Sequence, residues 1–289
     1  MSHEVLEFDV ISDRLIEKAE RDGAETMWDR KVAMKAPCGF GEKGVCCRHC
    51  SMGPCRISPV AGKGAQRGLC GATADTIVAR NFARTVAGGA AAHSDHGRDI
   101  AHVLYMASED GNYKVKDVGK LMNLAAEWGV ETDGRDTYDI AREVAEIALM
   151  EFGKPFGTLR FLERAPEPRK EIWKELGLEA RAIDKEIATI MHSTHIGCAS
   201  DPESILEMTM RASLADGWGG SMIGTELSDI LYGTPTARGT EANLGVIEEN
   251  MVNILLHGHE PSFSEMVVLA AEDPELIQMA KDAGAEGIN

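Results

Sequence analysis

Six of the seven cysteines in this 289-residue chain fall within 33 residues, and this cluster constrains the fold more than any other feature. The six are Cys38, Cys46, Cys47, Cys50, Cys55 and Cys70, while Cys198 stands alone. The N-terminal residues are acidic where a secretory leader needs bases and an apolar run. We therefore expect a cytoplasmic protein, in which thiols stay reduced and clustered cysteines bind metal rather than form disulfides.

The charge around the cysteines is opposite to that of the whole chain. Residues 35–70 contain six basic residues and one acidic residue, whereas the formal net charge of the protein is −17. A cluster held by four thiolates is anionic, and nearby cations stabilise it; a solvated basic loop is the alternative. The acidic total argues against nucleic acid and anionic lipid as partners, and no apolar stretch is long enough for a membrane span.

The spacing of the cysteines divides them into two groups. Cys47, Cys50, Cys55 and Cys70 follow the pattern C-x2-C-x4-C-x14-C, in a loop rich in glycine and proline. Three close ligands and a fourth that arrives later are typical of an iron–sulfur cluster, so this quartet predicts one complete 4Fe-4S centre. Structural zinc is the alternative, although zinc sites usually pair two short hooks.

Cys46 adjoins Cys47, and neighbouring side chains of an extended backbone point to opposite faces. Cys46 is therefore expected to serve a different centre, with Cys38 as its companion. Two thiolates are half a site, and a second copy of the chain related by a twofold axis would complete it. This predicts a homodimer bridged by an iron–sulfur cluster; the alternatives are a disulfide or two separate thiols. Cys198 is interpreted as a small buried apolar residue.

The hydrophobic pattern predicts a mainly α fold. Residues 1–235 form a helical domain with a cysteine loop at 36–71, and strand signals are almost absent before Met251. Gly88 and Gly89 indicate a kink or a close-packing point in a helix that follows Cys70. Residues 236–289 resemble the first unit of a Rossmann-like α/β domain that is cut short. Helices are expected at 12–34 (broken near Gly23), 117–128, 136–152, 168–176, 179–192, 201–216 and 224–232.

Histidines form a second pattern. His93, His96 and His102 lie on one drifting helical stripe with Asp99, and imidazoles in a row can pass protons. A polar helix face is the alternative interpretation. His257 and His259 follow the apolar run near Met251, where α/β proteins place ligand residues.

Several long motifs resemble one family along nearly the whole chain. They are CGFGEKGVCCRHCSMGPCRISP, GLCGATADTIVARNFARTVAGGAAAHSDHGRDIAH, LADGWGGSMIGTELSDILYGTP and NILLHGHEP. Together they are similar to the catalytic subunit of anaerobic nickel-containing carbon monoxide dehydrogenase. The hybrid-cluster hydroxylamine reductases are distant relatives and rank second, because their N-terminal cysteine pattern differs.

The resemblance implies a role for each group of residues. Cys38 and Cys46 would ligate a dimer-bridging 4Fe-4S cluster, for which 2Fe-2S is the alternative, and the quartet would bind a 4Fe-4S relay cluster. His259, with His257 as second choice, would ligate the nickel–iron–sulfur active cluster. His93 would be the proton acceptor closest to the reacting centre, with His96 and His102 beyond it, and Asp99 stands where a further histidine is expected.

The resemblance also implies the activity and the partners. The family converts CO and water into CO2, two protons and two electrons, and passes the electrons to a ferredoxin-like acceptor. Acetyl-CoA synthase is a further candidate partner. The active-cluster cysteines of the family lie beyond Asn289, so we expect this chain to be an N-terminal part that does not oxidise CO alone. A stand-alone electron-transfer module and a zinc-stabilised interaction domain are the alternatives.

Overall fold

The computed structural model describes residues 10–107, 113–237, 246–258 and 260–289, and over these ranges the protein is mainly helical. The predicted α class is thereby confirmed. The chain divides into two compact units. We call Gly39–Thr234 the large unit, and Met1–Cys38 together with Pro235–Asn289 the small unit.

The helices follow the predicted order, and the structure adds two short segments that the sequence did not predict. A 3-10 turn spans Arg160–Arg164, and a π-helical segment spans Asp216–Ser221 between two α-helices. The α-helices are α1 Val10–Asp22, α2 Met27–Ala33, α3 Gly39–Glu42, α4 Ala74–Ala107, α5 Val118–Glu127, α6 Thr137–Gly153, α7 Glu167–Glu175, α8 Ile183–Ser193, α9 Pro202–Ala215, α10 Met222–Tyr232, α11 Pro261–Ala271 and α12 Pro274–Asp282. The strands are β1 Cys46–Cys47 and β2 Cys55–Arg56.

Helix α4 is the central element of the large unit. It runs for 34 residues, and α6, α8, α9 and α10 all pack against it. Its buried face is built largely of alanine, such as Ala83, Ala87, Ala90 and Ala101. Small side chains let neighbouring helices approach closely, and alanine has the highest helix propensity, so one long helix can serve as the axis of the unit.

The π-helical segment approaches α4 closely. A Cβ atom built on Gly97 would lie 2.6 Å from the backbone oxygen of Gly220, so neither backbone could move aside cheaply. Gly88 and Gly89 were expected to mark a kink or a close-packing point, and the close-packing alternative is wrong, because a Cβ atom on either meets nothing within 4 Å. Both face outward, and glycine alone does not show which side of a helix is crowded.

Most of the predicted helices are confirmed within a few residues. Helix α8 is the main exception, since it begins at Ile183 and not at 179. The main core lies where α4, α5, α6 and α10 meet, and it includes the fully buried Leu104, Leu121 and Leu227. The near absence of strands before Met251 is only partly correct, because the cysteine loop contains the β1–β2 hairpin. Two-residue strands are too short to leave an alternating pattern.

The small unit contains the expected helix break. Helix α1 ends at Asp22, Gly23 adopts a positive φ of 70°, and α2 begins after the capping residue Thr26. Thr26 and Asp29 form a capping box that satisfies orphan N–H groups at the start of α2. Farther along, Val252 and Ile288 form a parallel bridge on either side of α11 and α12. Across the described ranges, no helix combines the length and apolar character needed to cross a membrane.

Candidate functional site

The β1–β2 hairpin separates the two adjacent cysteines. The strands are antiparallel, with Cys47 opposite Cys55 and Cys46 opposite Arg56. Directly opposed residues share one face of a sheet, and successive residues alternate between faces. Cys47 and Cys55 therefore lie on one side of the hairpin, whereas Cys46 lies on the other, as the sequence predicts for an extended backbone.

All four cysteines of the predicted quartet line one small cavity. Its walls include Cys47, Cys50, Cys55 and Cys70, together with His49. Cys47 and Cys55 also pack against a small apolar core of Ile57, Ala72 and Ile77, which seats the hairpin on the start of α4. Residues that are up to 23 positions apart in sequence thus line a common space.

Two glycines line the cavity. A Cβ atom on Gly53 would lie 3.2 Å from both the Cys47 oxygen and the Cys55 nitrogen, tighter than most real contacts. A Cβ atom on Gly68 would lie 3.6 Å from the Cys55 sulfur, which is an ordinary contact. Gly71, with φ of 87°, allows the turn that carries Cys70 towards the cavity. Crowding therefore favours glycine at position 53, and the backbone conformation favours it at position 71.

The electrostatics of the cavity favour a thiolate at Cys70. A hydrogen bond from the Ala72 backbone has the largest effect and lowers the pKa of the Cys70 thiol; burial opposes it, and a hydrogen bond from Arg80 lowers the pKa further by a smaller amount. The pKa of His49 is lowered by burial and by the positive charge of Arg84. The His49 Nε2 atom is buried and has no hydrogen-bond partner. A neutral imidazole N–H that borders a cavity is a suitable donor to a sulfur-rich anion.

These observations fit a bound iron–sulfur cluster. Four thiols surround the space, one of them has a lowered pKa, and a buried polar atom lacks a partner. In the described part of the chain, no three His, Cys, Asp or Glu side chains are arranged to hold a single metal ion. In a four-iron cluster each thiolate binds a separate iron atom, so the four sulfur atoms need not converge on one point. A shared cavity is therefore the feature expected of such a site.

The second predicted pair is divided between the units. Cys38 is exposed in the small unit, and Cys46 is half-buried in the large unit. Asn81 on α4 donates to the backbone oxygens of Gly44 and Cys46, at 2.7 and 3.1 Å. No disulfide joins cysteines in the described residues. On the same helix, Val78 and Phe82 are 41% and 54% exposed, which leaves an apolar surface beside this anchor.

His93 forms a specific pair with a carboxylate. Its Nδ1 atom lies 2.7 Å from Oδ1 of Asp216, which is the first residue of the π-helical segment. Because a carboxylate is an acceptor, this contact places a proton on Nδ1. The backbone of Gly220 approaches the His93 backbone so closely that a Cβ atom there would lie 2.8 Å away. The π-helical segment therefore holds the His93 ring through Asp216 and packs against the α4 backbone through Gly220.

The other histidines of the stripe become progressively more exposed. His93 and His96 are half-buried, and Asp99 and His102 are exposed. Gly224 on α10 provides room for His96, since a Cβ atom there would lie 3.4 Å from His96 Nδ1. His257 is exposed in the small unit, and His259 lies outside the described residues.

Cys198 does not behave as expected. Its side chain is exposed and not buried, and its Sγ donates to the Ile196 oxygen at 3.5 Å. The residue lies in a turn after α8, where few side chains surround it. A small apolar residue is buried only where elements converge, and a local sequence window does not show this convergence.

Sequence reasoning missed Arg80, His49, Asn81 and Asp216. Arg80 is 2% exposed and occupies a position in the buried alanine stripe of α4, which is the one signal that could have identified it. Asp216 is 123 residues from its partner His93. Asn81 and His49 have no distinguishing local pattern, because their roles depend on contacts between distant segments.

Comparison with known proteins identifies the family. Residues 45–289 match the model of the Prismane/CO dehydrogenase family. Carbon monoxide dehydrogenase 1 of Methanosarcina mazei is 51% identical over 97% of this chain and 45% of its own length. A crystal structure of as-isolated, Ni-free carbon monoxide dehydrogenase from Thermococcus sp. AM4 superposes with a TM-score of 0.86 and 48% identity, over all of this chain and 47% of that one.

A solved acetyl-CoA synthase/carbon monoxide dehydrogenase is also similar, with a TM-score of 0.84 and 39% identity over all of this chain and 44% of that chain. That protein has NiZn[Fe4S4] and NiNi[Fe4S4] clusters in its alpha subunits. The chain thus spans about half the length of the proteins that it matches. With a family model over most of its residues and relatives at this identity, the chain belongs to the Prismane/CO dehydrogenase family.

Proposed function

We propose that this chain forms the electron-transfer and proton-relay portion of an anaerobic, nickel-dependent carbon monoxide dehydrogenase. The observation that carries the proposal is the cavity lined by Cys47, Cys50, Cys55 and Cys70. The relatives named carbon monoxide dehydrogenase support the assignment to CO and not to another substrate. The overall reaction would convert CO and water into CO2, two protons and two electrons.

The quartet would hold a 4Fe-4S cluster within each subunit. Cys38 and Cys46 would contribute half of a second cluster, shared with another copy of the chain across a twofold axis. The exposed Val78 and Phe82 beside the Cys46 anchor support an isologous contact there, since exposed apolar side chains gain most from being covered. A homodimer in the reducing cytoplasm follows from this arrangement.

When bound, iron–sulfur clusters supply one-electron transfer, and a nickel–iron–sulfur centre supplies the oxidation of CO with water. The cysteines of this chain would bind and position the first kind of group. Electrons would leave through the quartet and the shared pair to a ferredoxin-like acceptor. The similarity to an acetyl-CoA synthase/carbon monoxide dehydrogenase makes acetyl-CoA synthase a further candidate partner.

His93 would take up protons from the reaction. Asp216 orients the ring and holds the proton on Nδ1, so Nε2 is the atom that accepts. His96, Asp99 and His102 would carry protons outward, because exposure increases along this stripe. The electron and proton routes share α4, with Arg80 and His93 thirteen residues apart, or about 20 Å along the helix axis.

His259 would ligate the active cluster, and residues 236–289 would begin a Rossmann-like α/β domain. The parallel bridge between Val252 and Ile288, with two helices between, supports this topology. His259 is the one active-cluster ligand that we assign within this sequence. We therefore expect no CO oxidation by the chain alone.

Elemental analysis of anaerobically prepared protein tests the proposal. We expect iron and acid-labile sulfide in equal amounts, brown 4Fe-4S absorbance, a dimer in solution and no zinc. Cys50→Ser should lose part of this iron, whereas Cys198→Ser should retain all of it and serves as the matched control. A colourless, zinc-containing protein would contradict the proposal and support an interaction domain. A brown monomer would contradict only the shared cluster.

The orientation of His93 is tested separately by 15N NMR of histidine-labelled protein. We expect the Nδ1–H tautomer for His93. The His93 signals are assigned as those that disappear from the spectrum of His93→Gln. Asp216→Ala should abolish this preference, because the carboxylate acceptor is removed. An unchanged tautomer in Asp216→Ala would show that another contact orients the ring.

A further inference from the structure

Arg80 is a buried cation whose partners are unusual. The side chain is 2% exposed and is the largest fully buried side chain among the described residues. Its Nε atom donates to the Ala199 oxygen at 3.1 Å, Nη2 donates to the same oxygen, and Nη1 lies 3.7 Å from the Cys70 sulfur. In the described ranges, none of the ion pairs joins Arg80 to a carboxylate.

A buried charge with only a neutral carbonyl and a thiol beside it is poorly compensated. Burial removes the hydration of the guanidinium, and a single carbonyl oxygen replaces only part of it. Arg80 also lines the quartet cavity. An anionic cluster in that cavity, with Cys70 as a thiolate ligand, would supply the missing negative charge.

Arg80 also joins two segments that are distant in sequence. Cys70 belongs to the cysteine loop, and Ala199 belongs to the segment after α8, which adds Thr194 and Ile196 to the cavity wall. The backbone N–H of Gly197 also hydrogen-bonds to Cys70. The position of the fourth ligand thus depends on a wall that is held by Arg80.

We propose that Arg80 is a positioning residue for the quartet cluster. The Arg80 side chain bridges the Cys70 sulfur and the Ala199 carbonyl, and it raises the reduction potential of the cluster. The inference rests on the proposed function, since it requires the cluster to be bound. Reduction adds negative charge, so a nearby buried cation and a hydrogen bond to a ligand sulfur both favour the reduced state.

Arg84 provides a matched control on the same helix. It lies one turn beyond Arg80 and donates to Thr194 and to the Met191 oxygen, so it contacts the same wall. Neither of these two hydrogen bonds reaches a cysteine of the quartet. A purely structural contribution to the wall should therefore be equal at both positions, whereas an effect through the hydrogen bond to Cys70 should be much larger at Arg80.

The experiment is a redox titration of the full chain, followed by EPR, with iron, sulfide and circular dichroism measured on each protein. Arg80→Gln should move the midpoint potential to a more negative value, because the positive charge and the guanidinium hydrogen bonds are both lost. Arg80→Lys should give a smaller negative shift, because one ammonium group cannot reach both Cys70 and Ala199. Arg84→Gln should give a much smaller shift than Arg80→Gln, because the Arg84 charge acts on His49 but Arg84 makes no hydrogen bond to Cys70.

An unchanged potential in a loaded Arg80 variant would overturn the inference, as would an equal shift in Arg84→Gln. If Arg80→Gln does not fold, Arg80→Lys decides the question alone by the same criterion. A wild-type chain that binds no iron would instead overturn the proposed function. Failure of the inference and failure of the function are therefore distinguishable.

Discussion

The two units use similar helices but bury them to very different extents. In the large unit, Leu104 and Leu121 are fully buried in a continuous core. In the small unit, Ser262, Ala280 and Gly287 are the buried members of its described residues, and Leu255 and Met279 are 64% and 65% exposed. An amphipathic pattern thus specifies a helix, but the number of elements around the helix decides how much its apolar face contributes.

The packing partners explain this difference. Helix α4 is in contact with α6, α8, α9 and α10, so apolar side chains are enclosed on several sides. In the small unit, α11 and α12 contact each other beside an apolar groove of about 290 Å³. Its walls include Ile254, Phe263, Met266 and Leu276. Partial burial of such side chains gives only part of the hydrophobic free energy.

Truncation of one leucine in each unit should give the largest contrast. Leu104→Ala should lower the free energy of unfolding by about 2–5 kcal/mol, because it leaves a cavity in a close-packed core. Leu276→Ala, at a position that is 40% exposed, should lower it by less than about 1 kcal/mol. Denaturant unfolding followed by circular dichroism, with hydrogen exchange to assign each transition, measures both. Equal losses would contradict the comparison.

Removal of a buried charge should have the next largest effect. Glu186 on α8 is fully buried and accepts from Arg181 Nε and Nη2 at 2.7 and 2.8 Å. Glu186→Gln should cost about 1.5–3 kcal/mol at neutral pH, as expected for hydrogen bonds to a charged group. The exposed Glu167→Gln, which affects only a surface pair with Lys170, should cost about 0–1 kcal/mol.

The effect of Glu186 should also depend on pH. Burial raises its pKa, but hydrogen bonds and charge from Arg181 outweigh this effect and lower the pKa below 4.5. A depressed carboxyl pKa stabilises the folded state above the unfolded pKa, and this stability is lost as pH falls through the folded pKa. The difference in Tm between wild type and Glu186→Gln should therefore shrink as pH falls from 7 to 3. A constant difference would show that shape, and not charge, is responsible.

Two glycines of α4 should respond in opposite directions with smaller effects. Gly97→Ala places a methyl group 2.6 Å from a backbone oxygen and should cost about 1–3 kcal/mol. Gly88→Ala meets no atom within 4 Å and should stabilise the helix by about 0.5–1 kcal/mol. Thermal unfolding of both variants tests whether crowding is local to the π-helical contact. A loss of stability in Gly88→Ala would mean that the exposed side of α4 is covered in solution.

The sequence determined a substantial part of the candidate site. The spacing of Cys47, Cys50, Cys55 and Cys70 grouped the residues that line one cavity, and the adjacency of Cys46 and Cys47 predicted that they face different sides. The helices were also predictable, because apolar periodicity and capping residues act over a few positions. These are local properties, so a sequence displays them directly.

Only the tertiary structure decided which distant residues support that site. Arg80 meets the Ala199 oxygen across 119 positions, and His93 meets Asp216 across 123. The same applies to Gly97, whose crowding depends on Gly220, and to Cys198, which is exposed where burial was expected. The sequence reveals chemistry carried by neighbours along the chain, whereas burial, pairing and charge compensation depend on which surfaces the fold brings together.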